Sequence, residues 1–273
     1  MKINKRWKTP LRWPGGKSRA LKKLEVFNPK DMDNIIEIRD CFLGGGSYPL
    51  YLSILYPNKS IWVNDIYEPL YNFWIQLRDN HRELIMKLKK YKLENDTPDK
   101  CRDLFTEAKE IINDIKYSKI DRAVYFYILN KCSFSGLTEN SSFSSGSSQQ
   151  NFKINIIESL EYYSKLIKKW KITNLDYTKL LEGDENIFIY LDPPYDIKSN
   201  IYGKKGNLHK TFNHDDFKSE CIKCKCKILI SYNVEIDNLY NNEFDLTYTM
   251  KSDKKYIKDQ KKRKEIAIIN YEI

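Results

Sequence analysis

Five apolar residues, Ile187-Phe188-Ile189-Tyr190-Leu191, run directly into Asp192-Pro193-Pro194-Tyr195, and this junction restricts the fold more than any other stretch of the chain. The run is short, β-branched and aromatic, as suits a strand buried on both faces in a helix-covered parallel sheet. Two consecutive prolines cannot continue a ladder, because each lacks an N–H and fixes φ near −65°. The strand therefore ends at Leu191, and the tetrapeptide stands at its carboxyl end, where open α/β sheets bind ligands. With two backbone donors removed, the Asp192 carboxylate and the Pro193 carbonyl can face one small polar group as paired acceptors. Tyr195 then offers a ring to cover it. A flat ring carrying an exocyclic amine, as on a nucleobase, supplies both the N–H donors and the stackable face. The alternative reading of the same residues is a Pro-Pro turn that closes a core strand.

The rest of the chain supplies the sheet this strand needs. Apolar segments at 35–39, 61–64, 172–175, 228–232, 244–250 and 265–271 bring the predicted strands to seven, with helical segments between them. That pattern predicts an α/β fold with a largely parallel sheet. Residues 244–250 alternate, and a charged loop, 251–264, leads into the apolar 265–271, as in an antiparallel pair at one edge. Between 68 and 169 the spacing changes to a helical period, for example at 73–77 and 122–129. We read 1–67 with 170–273 as one domain and 68–169 as a helical insertion into it. At 273 residues and 41% hydrophobic, the chain has enough apolar surface for a sizeable core.

Charge and cysteine content narrow the class. The net charge of +10 favours a polyanionic partner such as nucleic acid, or else marks a well-solvated surface. Residues 1–7 are charged and no apolar stretch follows, so neither a signal peptide nor a membrane anchor is expected there. A cytoplasmic, nuclear or viral compartment with access to DNA fits better than secretion. The six cysteines form no spaced framework of pairs. Cys221, Cys224 and Cys226, with His209 and His214 upstream, depart from zinc-finger spacing. They are read as free thiols at the end of a helix over 214–225, and no metal is expected.

Three further motifs carry chemistry. Asp40-Cys41-Phe42-Leu43-Gly44-Gly45-Gly46-Ser47 follows a strand and precedes a helical run, so its glycines lie in a turn where a cofactor can approach backbone closely. Asp65, at the end of the second strand, stands where a carboxylate holds a ribose diol, or where it could instead cap the helix after Tyr67. Leu11-Arg12-Trp13-Pro14-Gly15-Gly16-Lys17-Ser18 contains Gly-Lys-Ser but lacks the first glycine and the preceding strand of a phosphate loop. Trp13 and Lys17 are read instead as a flat wall and a cation beside a ligand with a ring and a carboxylate. Inside the insertion, 130–152 is dense in Ser, Gly, Asn and Gln, which describes a flexible loop or a DNA-probing one. Ser133, Ser135, Asn140 with its neighbour Ser141, Gln149 and Gln150 are its candidate DNA contacts, because amides can pair with adenine.

In this order (13–17, 40–47, 68–169, 192–195) the motifs resemble the Dam-type adenine-specific DNA methyltransferases of the alpha group, over nearly the whole chain. The resemblance implies a Rossmann-like, seven-stranded, mostly parallel sheet of the S-adenosylmethionine-dependent methyltransferase type with a helical target-recognition insertion. It implies methyl transfer from S-adenosylmethionine to the N6 amine of an adenine flipped out of double-stranded DNA. Asp192, Pro193 and Tyr195 match the catalytic positions. Trp13, Lys17, Asp40, Phe42, Gly44, Gly45, Gly46, Asp65 and Asp192 match cofactor positions, and Asp176-Tyr177 resembles the pair that holds the cofactor's adenine. A monomer is expected, with a dimer on DNA as the alternative. The turn departs from the family's usual Glu-Pro-Phe, reading Asp40-Cys41-Phe42. Alternatives are a DNA-binding relative weakened at Cys41, or an amino-methyltransferase acting on RNA adenine or on cytosine.

Overall fold

The computed structural model describes residues 9–195, 211–249 and 260–273. Seven strands form one sheet: β1 (Glu37–Asp40), β2 (Ser60–Asn64), β3 (Lys171–Thr173), β4 (Ile187–Leu191), β5 (Lys227–Tyr232), β6 (Tyr240–Thr249) and β7 (Gln260–Ile269). Their order is β3-β2-β1-β4-β5-β7-β6. β1 to β5 are parallel, whereas β7 runs antiparallel between β5 and β6. The chain builds outward from β1 in one direction and returns to build from β4 in the other. The crevice at that reversal, outside the carboxyl ends of β1 and β4, is where a ligand site forms in such sheets. All five residues of β4 are buried, as its sequence requires.

Two strands differ from expectation for local reasons. β3 stops at Thr173 because the Asn64 side chain takes over the pairing: its Oδ1 accepts from Leu175 N at 2.8 Å and its Nδ2 donates to Leu175 O at 2.9 Å. The charged segment before Glu265 is partly strand, since Gln260 to Lys264 pair in register with Thr249 to Asp245. A run of lysine and arginine is compatible with an antiparallel ladder, because such a sheet can keep one face in water.

The described helices are α1 (Leu21–Glu25), α2 (Ser47–Leu55), α3 (Glu68–Asp79), α4 (His81–Glu94), α5 (Pro98–Ile111), α6 (Lys119–Cys132), α7 (Ser145–Asn151), α8 (Ile154–Glu158), α9 (Leu160–Leu166) and α10 (His214–Lys223). Caps set several starts: Thr97 Oγ1 accepts from Lys100 N, Ser118 Oγ from Asp121 N, and Asn213 Oδ1 from Asp215 N and Asp216 N. The segment 68–169 is helical as expected, but the change in sequence pattern at its ends is not a gap in packing. One hydrophobic core continues from Leu50 and Val63 through Phe73 and Trp74 to Phe126 and Tyr127. Phe73 stacks on Tyr127 with ring centroids 5.8 Å apart.

The Ser- and Gln-rich stretch is not a structureless loop. Ser133 pairs with Phe143 in an antiparallel bridge, and Ser144 caps α7 through its bond from Ser147 N. Phe143 packs edge-on against Phe105 and Phe152 is fully buried, so aromatic anchors hold a polar stretch in place. Among the described residues, no helix is long and apolar enough to cross a membrane.

Candidate active site

A cavity opens at the carboxyl ends of β1 and β4, the place where open α/β sheets bind ligands. Trp13, Lys17, Asp40, Phe42, Gly44, Gly45, Gly46, Asp65 and Asp192, all expected at a cofactor site, line it.

The glycine turn is shaped by close approach. Gly44 and Gly46 have φ of 48° and 70°, a left-handed backbone that L side chains rarely adopt. A Cβ on Gly44 would lie 2.6 Å from Trp13 Nε1, and one on Gly45 would lie 2.8 Å from Trp13 Cβ. Trp13 thus forms a wall directly against the turn. Trp74 of α3 supports it from behind, donating from Nε1 to Gly44 O at 3.1 Å.

Three carboxyls face the cavity. Asp40 accepts from Phe42 N at 3.0 Å and is almost fully buried, which raises its pKa well above the usual carboxyl value. Asp65 accepts from Gly44 N at 2.9 Å and from Tyr67 N at 3.0 Å, so it braces the turn and the approach to α3 rather than capping the helix by its side chain. Burial pushes Asp65 up to about 6. Asp192 is the third. Burial lifts it to about 6 against the pull of Lys17, so it is ionised at neutral pH.

Lys17 sits 4% exposed on a short 3₁₀ turn (Lys17–Arg19), and its ammonium grips both oxygens of Asp192 at 2.6 and 2.8 Å and Gly15 O at 3.1 Å. Burial alone would lower its pKa, but Asp192, followed by Tyr195, Tyr190 and Glu265, raises it well above the usual lysine value. The cation expected beside a ligand's carboxylate is therefore engaged with Asp192. Tyr195 stands with its ring centroid 5.0 Å from Lys17 Nζ, and its hydroxyl lies 3.3 Å from Ser231 Oγ.

Other expected residues lie apart from the lining. Asp176 is exposed and caps the 3₁₀ turn Tyr177–Leu180. Tyr177 lies behind Phe42, with centroids 5.4 Å apart, in an aromatic group that includes Phe212 and Phe217. Pro193 is buried beside Asp192, and Pro194 lines the cavity. Of the candidate DNA contacts, Ser135, Asn140, Gln149 and Gln150 are exposed. Ser133 and Ser141 are not. Ser133 is fully buried, its hydroxyl bonded to Asn130 O and its carbonyl to Arg12 Nη1, and Ser141 bonds Phe134 O, so both serve the interior instead of reaching for DNA.

Sequence reasoning missed Tyr190, Ser231, Glu265 and the stretch from Gly136 to Thr138, which lines the cavity. Tyr190 also lines it, and its buried hydroxyl has no hydrogen-bond partner among the described residues. The signal for Glu265 was an acid inside an otherwise apolar strand end, a position that burial penalises unless it is paired.

Residues 13–264 match the sequence family described as D12 class N6 adenine-specific DNA methyltransferase. This chain belongs to that family. It is 28% identical over 249 residues, covering 83% of this chain and 84% of the relative, to the type II methyltransferase M.MjaIII of Methanocaldococcus jannaschii. It is 28% identical over 212 residues (75% and 72%) to M1.LlaDCHI of Lactococcus lactis subsp. cremoris, and 24% over 274 residues (96% and 98%) to M.CviBI of Paramecium bursaria Chlorella virus NC1A, both type II methyltransferases. The sheet is that of an S-adenosylmethionine-dependent methyltransferase, and as a D12-class member the chain is an adenine-specific DNA methyltransferase.

Proposed function

We propose that this D12-class chain methylates the N6 amine of an adenine flipped out of a specific duplex site, with Asp192, Pro193 and Tyr195 around the base. The Lys17–Asp192 pair at the mouth of β4, its ammonium buried and its carboxylate 21% exposed toward the cavity, is the observation that carries this reading. Lys17 opposes the protonation that partial burial of the carboxylate favours.

The cavity fits S-adenosylmethionine. Its lining holds three carboxyls against one ammonium, which favours a ligand bearing a sulfonium and an α-ammonium. Trp13, Phe42 and Phe212 offer faces for an adenosyl ring, and the unpaired Tyr190 hydroxyl is a ready donor. When bound, this cofactor supplies an electrophilic methyl group. Among the described residues, Asp40, Asp65 and the glycine turn would hold it.

An adenine amine is a weak nucleophile because its lone pair is delocalised into the ring. Asp192 and the Pro193 carbonyl, accepting its two N–H bonds, turn that lone pair out of the ring plane. Lys17 fixes the Asp192 rotamer, and much of the rate then comes from holding the reacting groups in line. The alkylated amine carries one proton too many, and Asp192 is the adjacent base. Extruding the base costs a few kcal/mol of stacking, which contact with Tyr195 offsets in part. The segment 68–169, with Ser135, Asn140, Gln149 and Gln150 at its surface, supplies target recognition. Cys41 argues against the weakened-binder reading: its side chain belongs to the buried cluster of Ile189, Cys221 and Ile230 and does not line the cavity. The type II names of the relatives support a restriction-modification role. One chain provides every group invoked, consistent with action as a monomer.

Labelled S-adenosylmethionine and mixed-sequence duplex DNA, with wild type and Asp192→Ala in parallel, test the reading. Label in N6-methyladenine that disappears in a folded, DNA-binding Asp192→Ala supports it. Retained transfer in that variant sinks the mechanism, and label on cytosine or only on RNA redirects the substrate.

A further inference from the structure

Glu265 is an acid, 2% exposed, at the point where β7 passes the catalytic motif. The reaction outlined above gives it no part. Its Oε2 lies 3.9 Å from Lys17 Nζ, the same ammonium that Asp192 holds at 2.6 Å. The same oxygen accepts from Ser231 Oγ at 3.2 Å. A serine hydroxyl has one proton, so with that proton directed at Glu265 the Tyr195 hydroxyl donates to Ser231 Oγ across 3.3 Å. One buried carboxylate therefore ends two short paths, one through Lys17 to Asp192 and one through Ser231 to Tyr195.

A buried carboxylate is costly unless its charge is compensated. The neighbours of Glu265 name the compensation. Lys17 is shared between two acids, and a shared cation neutralises each less than an exclusive one. Asp192 is faced by Lys17, Glu265, Tyr190 and Tyr195, and by Asp40 across the cavity floor. Of these, Lys17 makes Asp192 a weaker base, and Glu265 makes it a stronger one.

We propose that Glu265 is a positioning residue for methyl transfer, which holds Lys17 off full neutralisation of Asp192 and anchors Tyr195 through Ser231, so that acceptor and stacking ring are set by one buried group. The proposal rests on Asp192 acting as the amine acceptor. Glu265 touches neither base nor cofactor. The place of β7 between β5 and β6 brings a side chain from the far end of the sequence to within 3.9 Å of Lys17.

Glu265→Gln keeps the shape and removes the charge, and Ser231→Ala cuts only the Tyr195 path. Single-turnover methyl transfer on duplex DNA, at saturating S-adenosylmethionine from pH 5 to 9, is measured with both variants. Titration of Asp192 by carbon-13 NMR of aspartate-labelled free protein, assigned with Asp192→Asn, accompanies it. Glu265→Gln is expected to slow transfer at least tenfold with little change in cofactor or DNA affinity. Its acid limb and the Asp192 titration should both move down by roughly half a unit or more. Ser231→Ala is expected to slow transfer severalfold, leave the acid limb in place, and reduce the fluorescence of 2-aminopurine at the target position. Unchanged titration of Asp192 in folded Glu265→Gln overturns the proposal, as does an upward shift. A variant that only melts earlier, with wild-type rate and pH profile, assigns Glu265 to stability and overturns it too. If wild type transfers no methyl group while the Asp192 titration still moves down, the adenine reading fails and the electrostatic role stands.

Discussion

Replacing Lys17 by Met removes the buried partner of an ion pair whose carboxylate is 21% exposed, and leaves a side chain of similar length in its place. In the wild type, burial pushes Asp192 up to about 6 despite Lys17 at 2.6 Å. Breaking a buried pair from one side costs about 3–5 kcal/mol. Asp192 can escape most of that cost by taking up a proton, and at 1.36 kcal/mol per pH unit the shift is roughly 2 units or more. At pH 7 the ionised fraction then falls from about nine-tenths to about one-tenth or less. A protonated Asp192 donates where it must accept, so transfer should drop about tenfold or more at pH 7 and recover toward pH 9. The assay is the single-turnover rate at saturating cofactor across pH 5 to 9.5, which separates Asp192 from Asp65. Burial pushes Asp65 up to about 6 as well, but the role proposed for it is in cofactor affinity. The sign for stability is opposite to that of a salt-bridged surface acid. Because the folded value lies above 3.8, the Asp192 contribution is present below that pH and is lost as pH rises through about 6, to the extent of about 3 kcal/mol. An acid limb that stays near pH 6 in Lys17→Met, with a uniform loss of rate, would refute the role given to the pair.

Gly44→Ala places a Cβ 2.6 Å from Trp13 Nε1 at a φ of +48°. It should lower the melting temperature by several degrees, at about 1–2 kcal/mol for the backbone alone, and weaken cofactor binding at least tenfold by calorimetry. Wild-type affinity would show that Trp13 is not the wall. Asp40→Asn keeps the bond from Phe42 N and removes a buried acid whose folded pKa is raised. Its gain in melting temperature over wild type should grow as pH rises from 5 to 9, while cofactor affinity falls. A gain independent of pH would mean that the buried charge is not the cause.

The residues of β4 and the Asp-Pro-Pro-Tyr after it were legible from sequence because composition and the chemistry of proline act locally. The same holds for the glycine turn after β1 and for the antiparallel end of the sheet, where alternation and charge mark the hairpin. The Ser- and Gln-rich stretch misled, since caps and aromatic anchors can order a composition that otherwise reads as loop. The sequence puts Asp176 and Tyr177 with the cofactor; in the fold Tyr177 packs against Phe42, Asp176 is exposed, and neither lines the cavity.

What sequence alone determined is the set of strands, their class and the chemistry at each carboxyl end. Only the tertiary structure decided which charges meet. Lys17 and Asp192 are separated by 175 positions and Glu265 lies on a strand inserted out of order, so no periodicity within a segment relates them. Their protonation depends on how much water the packed sheet excludes and on which opposite charge stands within a few ångströms. Both are properties of the assembled fold.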